Sequence, residues 1–421
     1  MKQQYGKVIK NPYIYSILSK CVFVLTGFLF TVFQARFLGA AIKGQIAVVN
    51  SITGIAYIIM SLGIYEMYPY YKRTSEKDVA PIFLKITLYM FMLFGSIAVI
   101  LVLCNDFSKT TNAALLLTPL LTYSTAICYF SLIENPNQRN RIDMIVSVIE
   151  LLIVFALWLF VRPKFYLGVL VIAAKELMKA AVYTVMWRKS FFASDESIIK
   201  WIPQLVKLGF FPMVAMLMST LNYRVDVLML EGNATDAAIG IYSIGVSLAE
   251  RVWMIPDAMK GVLTSNITKG KNEEEVSFAI RICNTACLFL IIGLIILGKP
   301  FIILFFGSEF AGAYQVTMIL LVGVFAMIYY KLIAAYYISL GQQKINFIFL
   351  TVSVVCNIVM NYFMIPKYGI YGAGIASVVS YCVCAIAFIL YFTKRSDESV
   401  SDMLIIKRSD IGKLKGIIKK K

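Results

Sequence analysis

The sequence contains no histidine and comparatively little charge. Without histidine, Ser-His-Asp and Cys-His catalysis are excluded, and a metalloenzyme is disfavoured. Charged residues make up 15% of the 421 residues, compared with about 25% in soluble globular proteins. Almost no polar segment is long enough to fold as a domain. A soluble multidomain protein is therefore excluded.

Metal-binding and nucleotide-binding patterns are also missing. The eight cysteines lie in apolar stretches, and none has zinc-site spacing, so they are typical of small buried side chains. The chain has no G-x-x-x-x-G-K-[ST] loop, the pattern that holds ATP phosphates. We therefore expect no cofactor and no metal site.

What the sequence does contain is apolar residues, which form 60% of the chain. They fall in blocks of about 20 residues, the length that crosses a hydrocarbon core of about 30 Å. Because open β structure cannot satisfy its backbone in lipid, the blocks predict helices. The expected fold is an all-α integral membrane protein with about twelve spans. The predicted spans are 14–38, 45–66, 81–104, 112–134, 143–162, 166–187, 208–230, 238–263, 278–306, 313–339, 345–364 and 370–393.

Lysine and arginine predict the orientation. The net charge of +17 would suggest nucleic acid as a partner of a soluble protein, but these charges lie mostly at predicted helix ends. If the N-terminus is cytoplasmic, most basic residues between spans fall on the cytoplasmic side, as the positive-inside rule requires. We therefore expect a multi-pass bacterial inner-membrane protein with both termini in the cytoplasm and no nucleic acid partner.

The longest internal polar stretch divides the chain into two halves. We predict an N-terminal six-helix bundle over 1–190, a cytoplasmic connector over 191–207 and a C-terminal six-helix bundle over 208–393. The bundles are expected to enclose a central cavity, as in transporters built from repeats. The basic tail over 394–421 is predicted to be disordered and to contact membrane lipids.

Four segments resemble bacterial polysaccharide flippases of the multidrug, oligosaccharidyl-lipid and polysaccharide exporter superfamily. They are ARFLGAAIKGQIAVVNSI from Ala35, NYRVDVLMLEGNATDAAIGIYSIGVSLAER from Asn222, GKPFIILFFGSEFAGAYQV from Gly298 and NIVMNYFMIPKYGIYGAGIASVVSY from Asn357. The EGN turn at Glu231 departs from the leucine-glycine pair expected there. The resemblance implies movement of undecaprenyl-pyrophosphate-linked sugar repeat units to the periplasmic leaflet, for O-antigen, capsule or related polysaccharides. A polysaccharide polymerase and a chain-length regulator are then further candidate partners.

Ionisable residues inside predicted spans are the candidate site, since each costs roughly 2.5–3.5 kcal/mol on insertion scales. Cations suit the pyrophosphate of the implied substrate. The substrate-binding candidates are Lys20, Arg36, Lys179, Arg224, Arg251 and Lys331. The candidates for coupling transport to a proton or sodium ion are Asp226, Glu250 and Asp257.

Structural ion pairing is the alternative for each charge. Glu176 and Lys179 are three residues apart and share a helix face, so they are expected to pair. Arg224 and Asp226 cannot face each other, so a partner on another helix is expected. Lys85 and Arg281 are expected to extend from cytoplasmic helix ends towards water. The aromatic residues Tyr223, Tyr242, Trp253, Tyr329 and Tyr330 are candidates for stacking on sugars or for packing.

Two other functions stay open. A cation-coupled drug or metabolite antiporter of the same superfamily would share the fold. A membrane polymerase or ligase is disfavoured, because the predicted outside loops are at most about ten residues, close to ordinary connections. No nucleophile-base pair is evident either, so we expect a transporter rather than an enzyme. The sugar repeat and the energy source stay undetermined by the sequence.

Overall fold

Long helices form nearly all of the structure, a computed structural model. It describes residues 12–191, 193, 198–267, 269–270, 273–407, 409–410 and 412, with only the backbone described for 12–21. The helices are α1 (Pro12–Ser61), α2 (Tyr68–Thr74), α3 (Ala80–Cys104), α4 (Lys109–Glu134), α5 (Pro136–Phe160), α6 (Phe165–Phe191), α7 (Ile202–Leu230), α8 (Asp236–Glu250), α9 (Met254–Ile267), α10 (Glu274–Phe306), α11 (Ala313–Ser339), α12 (Gln343–Thr393) and α13 (Val400–Leu404).

Two of these helices are long enough to cross a bilayer twice. The 50 residues of α1 and the 51 of α12 correspond to about 75 Å of helix at 1.5 Å per residue. Each contains one non-helical residue, Gly39 with φ 69° and Gly369 with φ 55°. Only glycine adopts positive φ without a Cβ penalty. The structure therefore replaces two predicted loops by single-residue kinks.

The twelve-span prediction is confirmed. Among the described residues, nine segments are long and apolar enough to cross a membrane, and α1 and α12 each supply two predicted spans. The set of nine omits α6, which carries Lys175, Glu176 and Lys179 in its middle. The predicted sixth span and α6 cover the same stretch, so α6 completes the twelve.

The chain folds into two compact units, unit 1 over Met1–Leu217 and unit 2 over Met218–Lys421. The boundary falls inside α7. In unit 1, α4 is the central helix and packs against α1, α3, α5 and α6. In unit 2, α11 takes this role and packs against α8, α9, α10 and α12. Both central helices carry many small or hydroxyl side chains, which allow close helix approach in lipid.

A close backbone contact anchors the start of α7 in unit 1. Gly63 follows α1 with φ +68°, and a Cβ placed on it would lie 2.0 Å from the carbonyl oxygen of Gly209 on α7. A side chain at either glycine would collide with backbone rather than with a movable side chain. The turn after α1 therefore fixes α7 through two glycines.

The tail prediction is wrong for the described part of the tail. The buried Asp410 accepts from Nε and Nη2 of Arg281 on α10 at 2.7 and 2.8 Å. Arg281 also donates to the carbonyl of Asp402, and Asn284 donates to the carbonyl of Met403 at 3.1 Å. Met403 is fully buried. The acid supplied by the tail is the reason that Arg281 is buried instead of extending to water.

The exposed end of the docked tail is held by local bonds. Ser399 caps α13, and its hydroxyl and backbone N–H both donate to Asp402. Lys407 donates to the other Asp402 oxygen at 2.6 Å. The hydrogen bonds from Lys407 and then Ser399 hold the pKa of Asp402 below its usual value. This carboxylate therefore stays charged through the physiological pH range.

Candidate functional site

Two of the predicted cations meet two of the predicted acids in unit 2. Nη2 of Arg224 on α7 lies 3.6 Å from Glu250 at the end of α8. Nζ of Lys331 on α11 lies 2.9 Å from Asp257 on α9. The side chains of Arg224 and Asp257 are 43% and 52% exposed. Each pair thus joins two helices and keeps one member open to its surroundings.

Aromatic rings adjoin these ion pairs. Nζ of Lys331 lies 4.7 Å from the ring centroid of Trp253, within the range of a cation–π contact. Trp253 lies 5.1 Å from Tyr223 and 5.8 Å from Tyr381, centroid to centroid. Tyr223 is half-buried, whereas Trp253 and Tyr381 are buried. We call the set the charged aromatic cluster: Tyr223, Arg224, Glu250, Trp253, Asp257, Lys331 and Tyr381.

The predicted span that carries three of these residues is broken. The sequence predicts one span over 238–263, but α8 ends at Glu250 and a 3-10 turn over Arg251–Trp253 precedes α9. Pro256 has no N–H to donate to the carbonyl of Val252, four residues earlier. The thiol of Cys287 donates to that carbonyl instead, at 3.6 Å. The half-buried Arg251 therefore lies at a discontinuity, where backbone geometry differs from an unbroken span.

Asp226 occupies a different environment from the other predicted acids. Its carboxylate accepts from the Tyr242 hydroxyl, from the Ser377 hydroxyl at 3.2 Å and from the backbone N–H of Val227 at 2.8 Å. Asp226 is 3% exposed. Its hydrogen-bond donors are neutral, whereas Glu250 and Asp257 face cations. Tyr242 is fully buried, so it offers no free ring face for a sugar.

Polar side chains of α12 continue from Asp226 through the core of unit 2. Ser380 donates to the backbone carbonyl of Ser377, and Asn357 donates to the Ser380 hydroxyl at 3.0 Å. Asn361 donates in turn to Asn357 at 2.7 Å. All four of these α12 residues are buried. The predicted site omitted them because it was built from ionisable groups only.

The spacing of these α12 residues could have revealed the chain of bonds. Asn357 and Asn361 are four apart, so they share one helix face, and both amides lie in an otherwise apolar span. Buried amides need partners, and Ser380, after the Gly369 kink, supplies one for Asn357. The Asn361 side-chain oxygen is buried, and no described residue donates a hydrogen bond to it. This oxygen and the Asp226 carboxylate are acceptors in the core.

In unit 1 the predicted pairing of Lys179 with Glu176 is confirmed, at 3.1 Å. Glu176 also accepts from the Ser124 hydroxyl on α4 at 2.5 Å. Lys175 pairs with Glu150 on α5 at 2.9 Å. Lys179 is thus bound into a network of α4 and α6 rather than presented as an isolated cation.

The two remaining substrate candidates lie on α1. Arg36 is exposed. The side chain of Lys20 lies outside the described residues. The structure therefore gathers Arg224 and Lys331, with Glu250 and Asp257, into one cluster and leaves Arg36 and Lys179 elsewhere in unit 1. Among the described residues, no group of three or more metal-binding side chains is placed to hold a metal ion.

A family model described as "Polysaccharide biosynthesis protein" matches residues 9–256. The match spans more than half of the chain. The chain belongs to this family. The matched region ends within the charged aromatic cluster and covers unit 1 from residue 9 onwards, together with α7 and α8. The resemblance drawn from the four sequence segments is thereby confirmed. No curated protein sequence matches the chain.

Solved structures of transporters share the fold. The lipid II flippase MurJ, in an inward closed conformation, is similar with a TM-score of 0.69 and 16% identity, over 90% of this chain and 87% of that one. An inward-facing MATE multidrug transporter of the MOP superfamily matches with a TM-score of 0.63 and 13% identity, over 88% and 94%. A MOP superfamily transporter from Pyrococcus furiosus matches at 0.59 and 14%, over 90% and 92%. These likenesses establish a multi-pass membrane fold of the transporter type.

Proposed function

We propose that the protein is a flippase for undecaprenyl-pyrophosphate-linked oligosaccharides, which it moves from the cytoplasmic to the periplasmic leaflet by alternating access. Family membership supports a role in polysaccharide biosynthesis, and a lipid II flippase shares the fold. The observation that carries the proposal is the charged aromatic cluster. It combines two cations with a partly exposed aromatic face inside membrane helices.

The cluster fits a phosphate-bearing sugar because its cations have exchangeable partners. Arg224 is 43% exposed and its contact with Glu250 is long, at 3.6 Å. Pyrophosphate oxygens can replace the carboxylate and accept two parallel hydrogen bonds from the guanidinium. Lys331 can exchange Asp257 for phosphate in the same way. Tyr223, half-buried beside them, supplies an aromatic face on which a pyranose ring can stack. Glu250 and Asp257 then hold the cations again once the head group has left.

Asp226 is the preferred candidate for ion coupling. A buried carboxylate surrounded by neutral donors carries a large desolvation cost, which a proton or a sodium ion would remove. Glu250 and Asp257 already have cationic partners, so a bound proton or sodium ion would stabilise them less. We propose that Asp226 binds a proton or sodium ion during the return step. Asn357, Asn361 and Ser377 offer further oxygen atoms close along the same chain of bonds.

A cation-coupled antiporter is the second candidate function. MATE multidrug transporters share the fold, and the environment of Asp226 would serve either function. The charged aromatic cluster favours the flippase because its cations suit an anionic substrate. Transport assays with an anionic lipid-linked sugar and with a cationic drug separate the two candidates, since transport of the sugar favours the flippase and transport of the drug favours the antiporter.

We further propose that the chain lies in the bacterial inner membrane with both termini in the cytoplasm. The distribution of lysine and arginine supports this orientation. Reporter fusions after Lys189 and after Thr393 should both give a cytoplasmic signal, and a periplasmic signal at either would reject it. The polymerase and the chain-length regulator remain proposed partners, to be sought by crosslinking in cells that make the polysaccharide.

The flippase proposal is tested with purified protein in liposomes containing a lipid-linked oligosaccharide. Flipping is measured as the fraction of sugar that an external glycosidase can cleave over time. Arg224→Ala and Lys331→Ala should each slow flipping at least about tenfold, the effect of losing one charge-assisted contact worth about 1.5–3 kcal/mol. Lys344→Ala, an exposed cation at the start of α12, is the matched control. Equal rates in all three variants would reject the role of the cluster.

Arg251 is tested in cells. If it holds the head group, Arg251→Ala should abolish surface polysaccharide at normal protein abundance, and Arg251→Lys should restore display only in part, since lysine cannot bind phosphate in a bidentate way. Normal display in the alanine variant would show that Arg251 does not contribute to transport. Reduced abundance instead would assign it a structural role.

A further inference from the structure

Unit 1 contains a large apolar groove that plays no part in the proposed transport site. Its volume is about 1120 Å³, and it lies between α3, the C-terminal part of α6 and the start of α7. Buried Ile86 and Phe191 contribute to its lining. Its exposed walls include Leu93 at 58% and Ile199 at 79% exposure. These are apolar surfaces that a hydrocarbon ligand can cover.

Two cations lie at one end of the groove. Lys85 is five residues into α3, and Arg188 is in the last turn of α6. The two helices pack directly against each other, and both cations line the groove. From Lys85 to Leu93 the apolar lining extends about 12 Å along α3, at 1.5 Å per residue. The groove thus has a basic entrance and an apolar interior, the pattern of a site for an anionic lipid.

We propose that this groove binds an anionic diacyl phospholipid of the cytoplasmic leaflet, with its phosphate between Lys85 and Arg188 and its acyl chains in the groove. Basic pockets between membrane helices on the cytoplasmic side are suited to such head groups. The assignment to that leaflet depends on the proposed orientation of the chain. The binding itself depends only on the groove and its two cations.

The groove is large enough for a lipid with two chains. One hydrocarbon chain about 4.5 Å across at van der Waals contact fills roughly 200 Å³ over a length of 12 Å. The groove holds several times that volume. Two such chains side by side therefore fit within it. Ile199 lies outside the membrane-spanning helices, at the level where glycerol and the upper chain carbons of a phospholipid would cover it.

The proposal is tested by native mass spectrometry of the full-length protein in detergent, titrated with dioleoyl-phosphatidylglycerol. Lys85→Ala with Arg188→Ala should weaken binding about 30-fold, the effect of losing two cations near a membrane surface. Lys189→Ala with Lys200→Ala removes the same charge from two exposed residues that do not line the groove. That control should bind within about twofold of the unaltered protein, because neither side chain lines the groove.

A second variant tests the acyl part of the site. Ile199→Glu places a carboxylate where glycerol and the upper chain carbons would lie, at a position that is 79% exposed, so folding should be preserved while binding is lost. Three results would overturn the proposal. They are equal losses in the two double variants, phosphatidylethanolamine binding as well as phosphatidylglycerol, and displacement of phosphatidylglycerol by an equal amount of undecaprenyl phosphate.

Discussion

Replacing Asp410 with alanine leaves the guanidinium of Arg281 without its carboxylate. Arg281 is 2% exposed and donates to Asp410 at 2.7 and 2.8 Å. Removal of one partner from a buried ion pair costs about 3–5 kcal/mol. The tail can avoid this cost by lifting from α10, because water then reaches the guanidinium. We therefore expect Asp410→Ala to release the tail rather than to unfold unit 2.

The contacts that oppose release are of similar size. Burial of the Met403 side chain contributes about 1.5–3 kcal/mol, and the Asn284 bond to the Met403 carbonyl contributes about 0.5–1.5 kcal/mol. The remaining Arg281 bond to the Asp402 carbonyl adds about 1.5–3 kcal/mol, so the unpaired charge offsets most of what still holds the tail. Residues 400–404 should exchange their amide hydrogens at least about tenfold faster in the variant, measured by mass spectrometry in detergent micelles.

Two further variants make the measurement decisive. Asp397→Ala removes an exposed acid from the same segment and should leave exchange unchanged. Arg281→Met with Asp410→Leu replaces the ion pair by apolar side chains and should restore protection, since such replacements are often neutral or stabilising. Unchanged exchange in Asp410→Ala, or equal acceleration in Asp397→Ala, would refute the role assigned to the pair.

Two further predictions concern unit 1. Gly63→Ala should lower the free energy of unfolding by about 1–3 kcal/mol or more, because the new Cβ meets the Gly209 carbonyl at a positive φ. At Gly54 nothing lies within 4 Å of an added Cβ, so Gly54→Ala should be neutral or stabilising. Equal melting temperatures for the two variants would contradict this reasoning. Glu176→Leu should reduce the abundance of the protein in the membrane because Lys179 loses its acid, and adding Lys179→Leu should restore it. Immunoblots of membrane fractions measure both. No recovery in the double variant would show that Glu176 acts through another contact.

The sequence predicted the membrane fold well because bilayer thickness imposes a length on each apolar block. It predicted loops where Gly39 and Gly369 form kinks, since hydropathy cannot distinguish a short loop from one residue of positive φ. Arg281 was expected to extend to water, because its partner Asp410 lies 129 residues further along the chain. Such pairs depend on tertiary packing and leave no local pattern.

The candidate site was predictable in part. Arg224, Glu250, Asp257 and Lys331 were identified because a charge inside a span is costly and rare. Their pairing required the structure, since residues on α7, α8, α9 and α11 can meet in many ways. The neutral residues around Asp226 were missed, because asparagine and serine in membrane helices cost less than charges and attract less notice.

The charges of α6 have a consequence for how the protein is made. Lys175, Glu176 and Lys179 would each oppose entry of this helix into lipid by roughly 2.5–3.5 kcal/mol. Their partners on other helices, Glu150 on α5 for Lys175 and Ser124 on α4 for Glu176, emerge from the ribosome before α6 does. When α6 enters the bilayer, the helices that bind its charges are already synthesised, so each charge meets a partner as it leaves the translocon.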